Sequence, residues 1–157
     1  MNRTTHILNA INTRLSGIQG LNILRVWRVD KCFEYDFPYC HVRILGETSG
    51  ITNEYENGTG SNEDTTPRIE IVIGYSIDRD TEEEGLFAIA EAEMVHQIRQ
   101  WLDNPEWVVE DYADLREQVF FDSVRYQGYS GITEDATETK GVSAIGFVVN
   151  FQAVKNG

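Results

Sequence analysis

A carboxylate and an imidazole three positions apart in a helical pattern give this 157-residue chain its sharpest chemical signal. The pair is Glu93 and His96 in Glu93-Met94-Val95-His96. In di-iron carboxylate bundles the same Glu-x-x-His spacing sets an oxygen and a nitrogen donor on one helical face. That chemistry takes two such motifs and further glutamates on facing helices, and this chain has a single motif and too few helical patterns. A solvated helix face is therefore the expected role. The other histidines, His6 and His41, fall on separate elements. No Gly-x-Ser-x-Gly, His-Glu-x-x-His or phosphate-cradling glycine loop occurs.

The remaining candidates have equally plain readings. Glu82-Glu83-Glu84 follows Thr81 as a capping box would, and complements the positive end of a helix dipole at ~0.3–1 kcal/mol per charge. Asn53, Glu54, Glu56 and Asn57 have the composition of a calcium loop without its ladder of alternating ligands. Cys32 and Cys40 match no usual zinc spacing and are expected as a reduced pair. Trp27, Trp101 and Trp107 have the chemistry to stack on sugars or bases, but Trp101 falls on an apolar helical stripe and is expected in a core. Asn57-Gly58-Thr59 fits the glycosylation sequon only formally. No metal and no cofactor is expected.

Composition narrows the classes further. The 26 acidic and 13 basic side chains give a formal net charge of −13, which repels nucleic-acid backbones over most of the surface. A length of 157 residues predicts one domain, 1–157, with a core that needs no staples. Neither a signal core nor a membrane-spanning run is visible, so a soluble protein is expected.

The elements that would position any site follow from periodicity. Ile7, Leu8, Ile11 and Leu15 predict a first helix over residues 4–16, with Gly17 as a left-handed cap. A partly exposed strand is expected over Leu21–Val29, and another from Tyr39, with Cys40, Val42 and Ile44 on one face and Tyr39, His41 and Arg43 on the other, the alternation of a sheet buried on one side only. Ile69, Ile71, Ile73, Tyr75 and Ile77 alternate in a third strand. Leu86, Ala90, Met94, Ile98 and Leu102, flanked by Ile89 and Trp101, predict a second helix that ends before Pro105. Weaker patterns predict a short strand at Trp107-Val108-Val109 and a helical turn within Tyr112–Gln118. Strands over Phe120–Tyr129 and Gly141–Val154 close the chain. Residues 46–66 are rich in Gly, Ser, Thr, Asn and Glu, with no Lys or Arg, and are expected as a long acidic loop or flexible hairpin arm. A second polar loop is expected over 128–140. The predicted fold is α+β: one mostly antiparallel sheet of about five strands, two helices packed on one face, and two long acidic loops.

This order of elements, with Phe37-Pro38-Tyr39-Cys40-His41-Val42-Arg43-Ile44, the Arg68–Ile73 strand, the helix to Trp101-Leu102 and the terminal Ser143–Phe151 strand, resembles small tail-terminator or tail-completion proteins of long-tailed bacteriophages. The resemblance covers most of the chain and rests on layout, not on an invariant motif. It implies a non-enzymatic virion protein, commonly a hexameric ring, that caps the tail tube, meets the head-tail connector and lets DNA pass its lumen without specific binding. The loops at 46–66 and 128–140 are then the expected docking arms, through Glu47, Tyr55, Glu63, Asp64, Tyr129, Glu134, Asp135 and Glu138. The competing expectation is a small metal- or ligand-binding α+β protein or enzyme using Glu93 and His96, for which bound metal or a closed apolar pocket is the mark.

Overall fold

The computed structural model describes the backbone of residues 3–54, 60–77, 86–102, 117–135 and 139–156. Helix α1 spans Arg3–Leu15 and helix α2 Leu86–Leu102. The strands are β1 (Asn22–Ile23), β2 (Tyr39–Glu54), β3 (Gly60–Ser76), β4 (Glu117–Asp135) and β5 (Lys140–Asn156). They form one five-stranded sheet in the order β1-β2-β3-β5-β4, antiparallel at every step except the parallel β1–β2 pair. This is the α+β fold predicted from the patterns.

Alternation places two cores. Ile69, Ile71, Ile73 and Tyr75 of β3 join Cys40 and Val42 of β2, Ile145 and Phe147 of β5, and the buried stripes of both helices. In α2 that stripe is Met94, Val95, Ile98 and Leu102, while Ile89, expected at its flank, is exposed. Position 89 lies one residue ahead of the stripe's edge, and Val95 takes the burial on the other side. The second core holds Tyr39, Val72 and Val142, which alternate onto the opposite face of the same strands, with Cys32. Leu24, Trp27, Phe33, Tyr35 and Phe37 pack against it. Both faces of the sheet are thus covered in this half, where burial of one face alone was expected of β2.

That second core explains why the strand expected over 21–29 shrinks to two residues. After pairing at Asn22 and Ile23, the chain makes a 3-10 turn at Val29–Lys31 and lays its aromatic run across the sheet. The peptide bond before Pro38 is cis, and β2 starts at Tyr39. Cys32 and Cys40 are free thiols in different cores. Gly17 does not provide the left-handed cap; the positive φ falls at Gly20, at 81°. Gly17 instead lies against the Trp101 ring, where an added Cβ would come within 2.5 Å of it. Arg14 closes this corner, donating from Nε to the Trp101 carbonyl at 2.9 Å with its guanidinium over the indole.

The two expected acidic loops are largely strand. Glu47–Glu54 and Ser61–Pro67 continue the β2–β3 hairpin, with shifts in register after Ile44 and Ile51. β3 pairs in turn with β5 as far as Gly60↔Asn156. Likewise β4 runs through residues 128–135. Backbone ladders do not depend on apolar side chains, so a polar segment that lacks alternation still pairs once its neighbour is in register. Thr81, the Glu82–Glu84 cluster, the patterns in 103–116, and the sequon at Asn57 lie outside the described residues.

Two tyrosines lie across glycines in this register. Tyr39 is paired directly with Gly74, and Tyr75 with Gly141. A Cβ at either glycine would fall within 2.4 Å of the facing ring. Burial pushes both phenols up to about 12 from 10.0, and the Cys40 thiol up to about 12 from 9.0. The folded state therefore keeps protons that the unfolded chain releases. Stability should be intact below about pH 9 and fall as pH rises toward 12. A pH series of urea midpoints checks this, and Tyr39→Phe should flatten the decline.

Candidate functional site

The described docking residues are spread along the sheet, with Glu63 and Asp64 toward one end, Glu134 and Asp135 at the other, and Glu47 and Tyr129 between them. Glu47 is paired with Pro67, Glu63 with Ile51 and Ala153, and Asp64 with Gly50 and Gln152. Glu63 and Asp64 lie where β3 and β5 run alongside the start of β4. Tyr129, Glu134 and Asp135 of β4 are paired with Ile145, Gly141 and Lys140, and Lys140 with Ser76. About a dozen residues of β3 separate Asp64 from Ser76, or about 40 Å of strand at 3.3 Å per residue. Tyr55 and Glu138 lie outside the described residues. The six described residues do not form one site.

What the sheet does offer is backbone. β4, 19 residues long, pairs only with β5 among the described residues. β2 is flanked by β1 at Tyr39 and Cys40, and from His41 onward pairs, among the described residues, only with β3. Each edge carries a row of N–H and C=O groups with the geometry to add another strand. The four long strands alternate in direction, so β4 and β2 run opposite ways. Leu45 on β2 is 52% exposed, and Tyr129 on β4 is 45% exposed, which places a large apolar side chain at each edge.

One polar cluster escaped the sequence reading. Glu91 of α2 accepts a hydrogen bond from the Tyr75 hydroxyl at 3.0 Å and a shorter one from the Ser143 hydroxyl, and those two hydroxyls are 3.1 Å apart. Ser143 is fully buried, so the cluster ties α2 to β3 and β5 and exposes no nucleophile. Glu91 is 16 and 52 residues from its partners, a separation at which no local motif signals it. Glu91→Ala should cost about 1–2 kcal/mol by leaving buried hydroxyls underbonded; a thermal melt reads this directly, and Glu91→Gln should recover part of it.

The residues with the strongest chemical spacing are on the surface. Glu93 and His96 are both exposed on α2. His41 Nδ1 lies 2.8 Å from the Leu24 carbonyl, which fixes the imidazole to the covering segment. Among the described residues no group of three or more His, Cys, Asp and Glu is arranged to hold a metal ion. None of their helices is long and apolar enough to cross a membrane. Arg43 pairs with Glu70 across the β2–β3 ladder, Nε to Oε1 at 2.7 Å, an exposed bridge worth under about 1 kcal/mol.

The fold is α+β, with two edges of strand backbone that pair with no further strand among the described residues. No protein-family model matches the chain, and no curated protein matches it.

Proposed function

We propose that this chain is a structural, non-catalytic virion protein that closes into a homo-oligomeric ring, capping the tail tube of a long-tailed bacteriophage and joining it to the head-tail connector. The observation that carries the ring is the pair of oppositely directed edges that pair with no further strand among the described residues, β4 on one side of the sheet and β2 from His41 on the other. A copy set beside another by simple rotation brings β4 of one against β2 of the next in antiparallel fashion, extending one sheet. Following the pairs across the sheet, Tyr129 is level with Ile145, Ile71 and Val42, and Glu117 with Lys155, Ser61 and Glu54. The neighbour's Glu117–Tyr129 therefore meets Val42–Glu54, the stretch that β1 leaves open. Such a contact is heterologous, and rotation turns it into a closed ring.

The phage assignment rests on the resemblance in the order of elements, and the hexamer comes with it. Acidity supports it: a net charge of −13 repeated around a ring repels the phosphates of DNA passing through, so the duplex slides without being held. Light scattering on the purified chain tests the assembly. Six copies of the 17.9 kDa chain give a particle of about 107 kDa. A species that stays at one chain's mass through the millimolar range, with or without a tail tube, contradicts the reading.

A further inference from the structure

A polar groove of about 680 Å³ runs between α1 and β1, on the far side of β1 from the rest of the sheet. Its helical wall is Asn9, Asn12, Thr13 and Ser16, a spacing that puts two amides and two hydroxyls on one face of α1. Its other wall includes Ile23 and Arg25. In a chain with 25% charged residues, a helix face of uncharged hydrogen-bonding groups is a distinct surface.

The backbone of β1 completes the site. Asn22 N–H donates to the Pro38 carbonyl and Leu24 N–H to the Cys40 carbonyl, at 3.0 and 2.8 Å. Alternation along a strand then turns the N–H and C=O of Ile23 the other way, toward the groove. Asn12 Oδ1 is shut off from water without a hydrogen-bond partner, and a turn of the side chain into the groove would let an incoming N–H relieve that deficit. Arg25 is the one charged residue of the lining, is exposed, and makes no ion pair among the described residues.

We propose that this groove binds an extended peptide segment of a partner protein bearing a carboxylate side chain. The peptide adds as a strand beside β1, exchanging backbone hydrogen bonds with Ile23, while the amides of α1 take its remaining backbone groups and Arg25 pairs with its carboxylate. Alternating donors and acceptors in the ligand match the groove's mixed amides and hydroxyls, and the single cation selects an acidic side chain. The site borders the β2 edge where β1 covers Tyr39 and Cys40, and the proposal does not rest on the ring.

Two-dimensional 15N–1H spectra of the whole chain, titrated with the blocked peptide acetyl-Thr-Val-Asp-Val-Thr-amide, test this. The expected result is saturable shifts at low-millimolar peptide, centred on Asn22, Ile23, Leu24 and the side-chain amide of Asn12. The lysine-for-aspartate peptide should bind about tenfold more weakly. Arg25→Glu, an exposed substitution that leaves the core intact, should reverse the preference between the two peptides. Three outcomes overturn the proposal: no shift at these residues, equal binding of both peptides by the native chain, or the same residues shifting with protein concentration alone, which would give the groove to a second copy.

Discussion

Gly74→Val should lower stability by about 3 kcal/mol, or roughly 10 °C in melting temperature for a chain of this size. The Cβ alone would sit 2.3 Å from the Tyr39 ring, well inside contact distance. That ring cannot give way cheaply. It is fully buried and meets Tyr35 and Phe37 edge-on at centroid distances of 5.6 and 4.9 Å. Its hydroxyl accepts from Trp27 Nε1 at 3.0 Å and donates to the Cys32 carbonyl at 2.8 Å. Moving the ring breaks both bonds and opens the covering segment, and this outweighs the gain of roughly 1 kcal/mol in strand propensity. Thermal melts followed by circular dichroism read the loss. Tyr39→Leu made in the Gly74→Val background should recover part of it, because the smaller side chain clears the space. An unchanged melting temperature for Gly74→Val would show that β2 and β3 do not pair in this register.

The second large effect is on assembly. Leu45→Lys on β2 and Tyr129→Lys on β4 each place a charge at an open edge, a device that blocks strand addition. Both side chains are about half exposed, so each variant should keep the native melting temperature to within about 2 °C. Each should weaken ring formation at least about tenfold, or ~1.4 kcal/mol per contact. The informative experiment is the mixture. A head-to-tail contact joins unlike edges, so the intact β4 of the Leu45→Lys chain can still meet the intact β2 of the Tyr129→Lys chain. Mixing should give heterodimers that cannot extend further. Full rings from the mixture, or from either variant alone, would show that the copies meet elsewhere.

How far the chain could be read from its residues depended on which physical signal each element carries. Ile69, Ile71, Ile73 and Tyr75 alternate because they line a dry core, and Met94, Ile98 and Leu102 recur at helical spacing for the same reason; burial leaves a period that composition displays. The outer halves of β2 and β3 leave none. Glu47–Glu54 and Ser61–Thr66 are held by backbone pairing to neighbours, and a polar ladder has the composition of a loop. The register decides the Tyr39–Gly74 and Tyr75–Gly141 pairs and brings Glu91 to Ser143. None of these contacts is local, so spacing along the chain holds no trace of them. The expected docking residues read as loop by their polar composition, and the described ones fall on strands. The proposed contact surface is accordingly the strand edges in place of loop side chains.

In the proposed ring, β4 of one copy pairs with β2 of the next. Electron cryo-microscopy of the purified particle, at a resolution that separates strands, should show a closed ring in which the Glu117–Tyr129 stretch of each copy lies antiparallel to Val42–Glu54 of its neighbour in one unbroken sheet. A particle whose subunits meet through the helices, with the β4 and β2 edges both facing solvent, would contradict it.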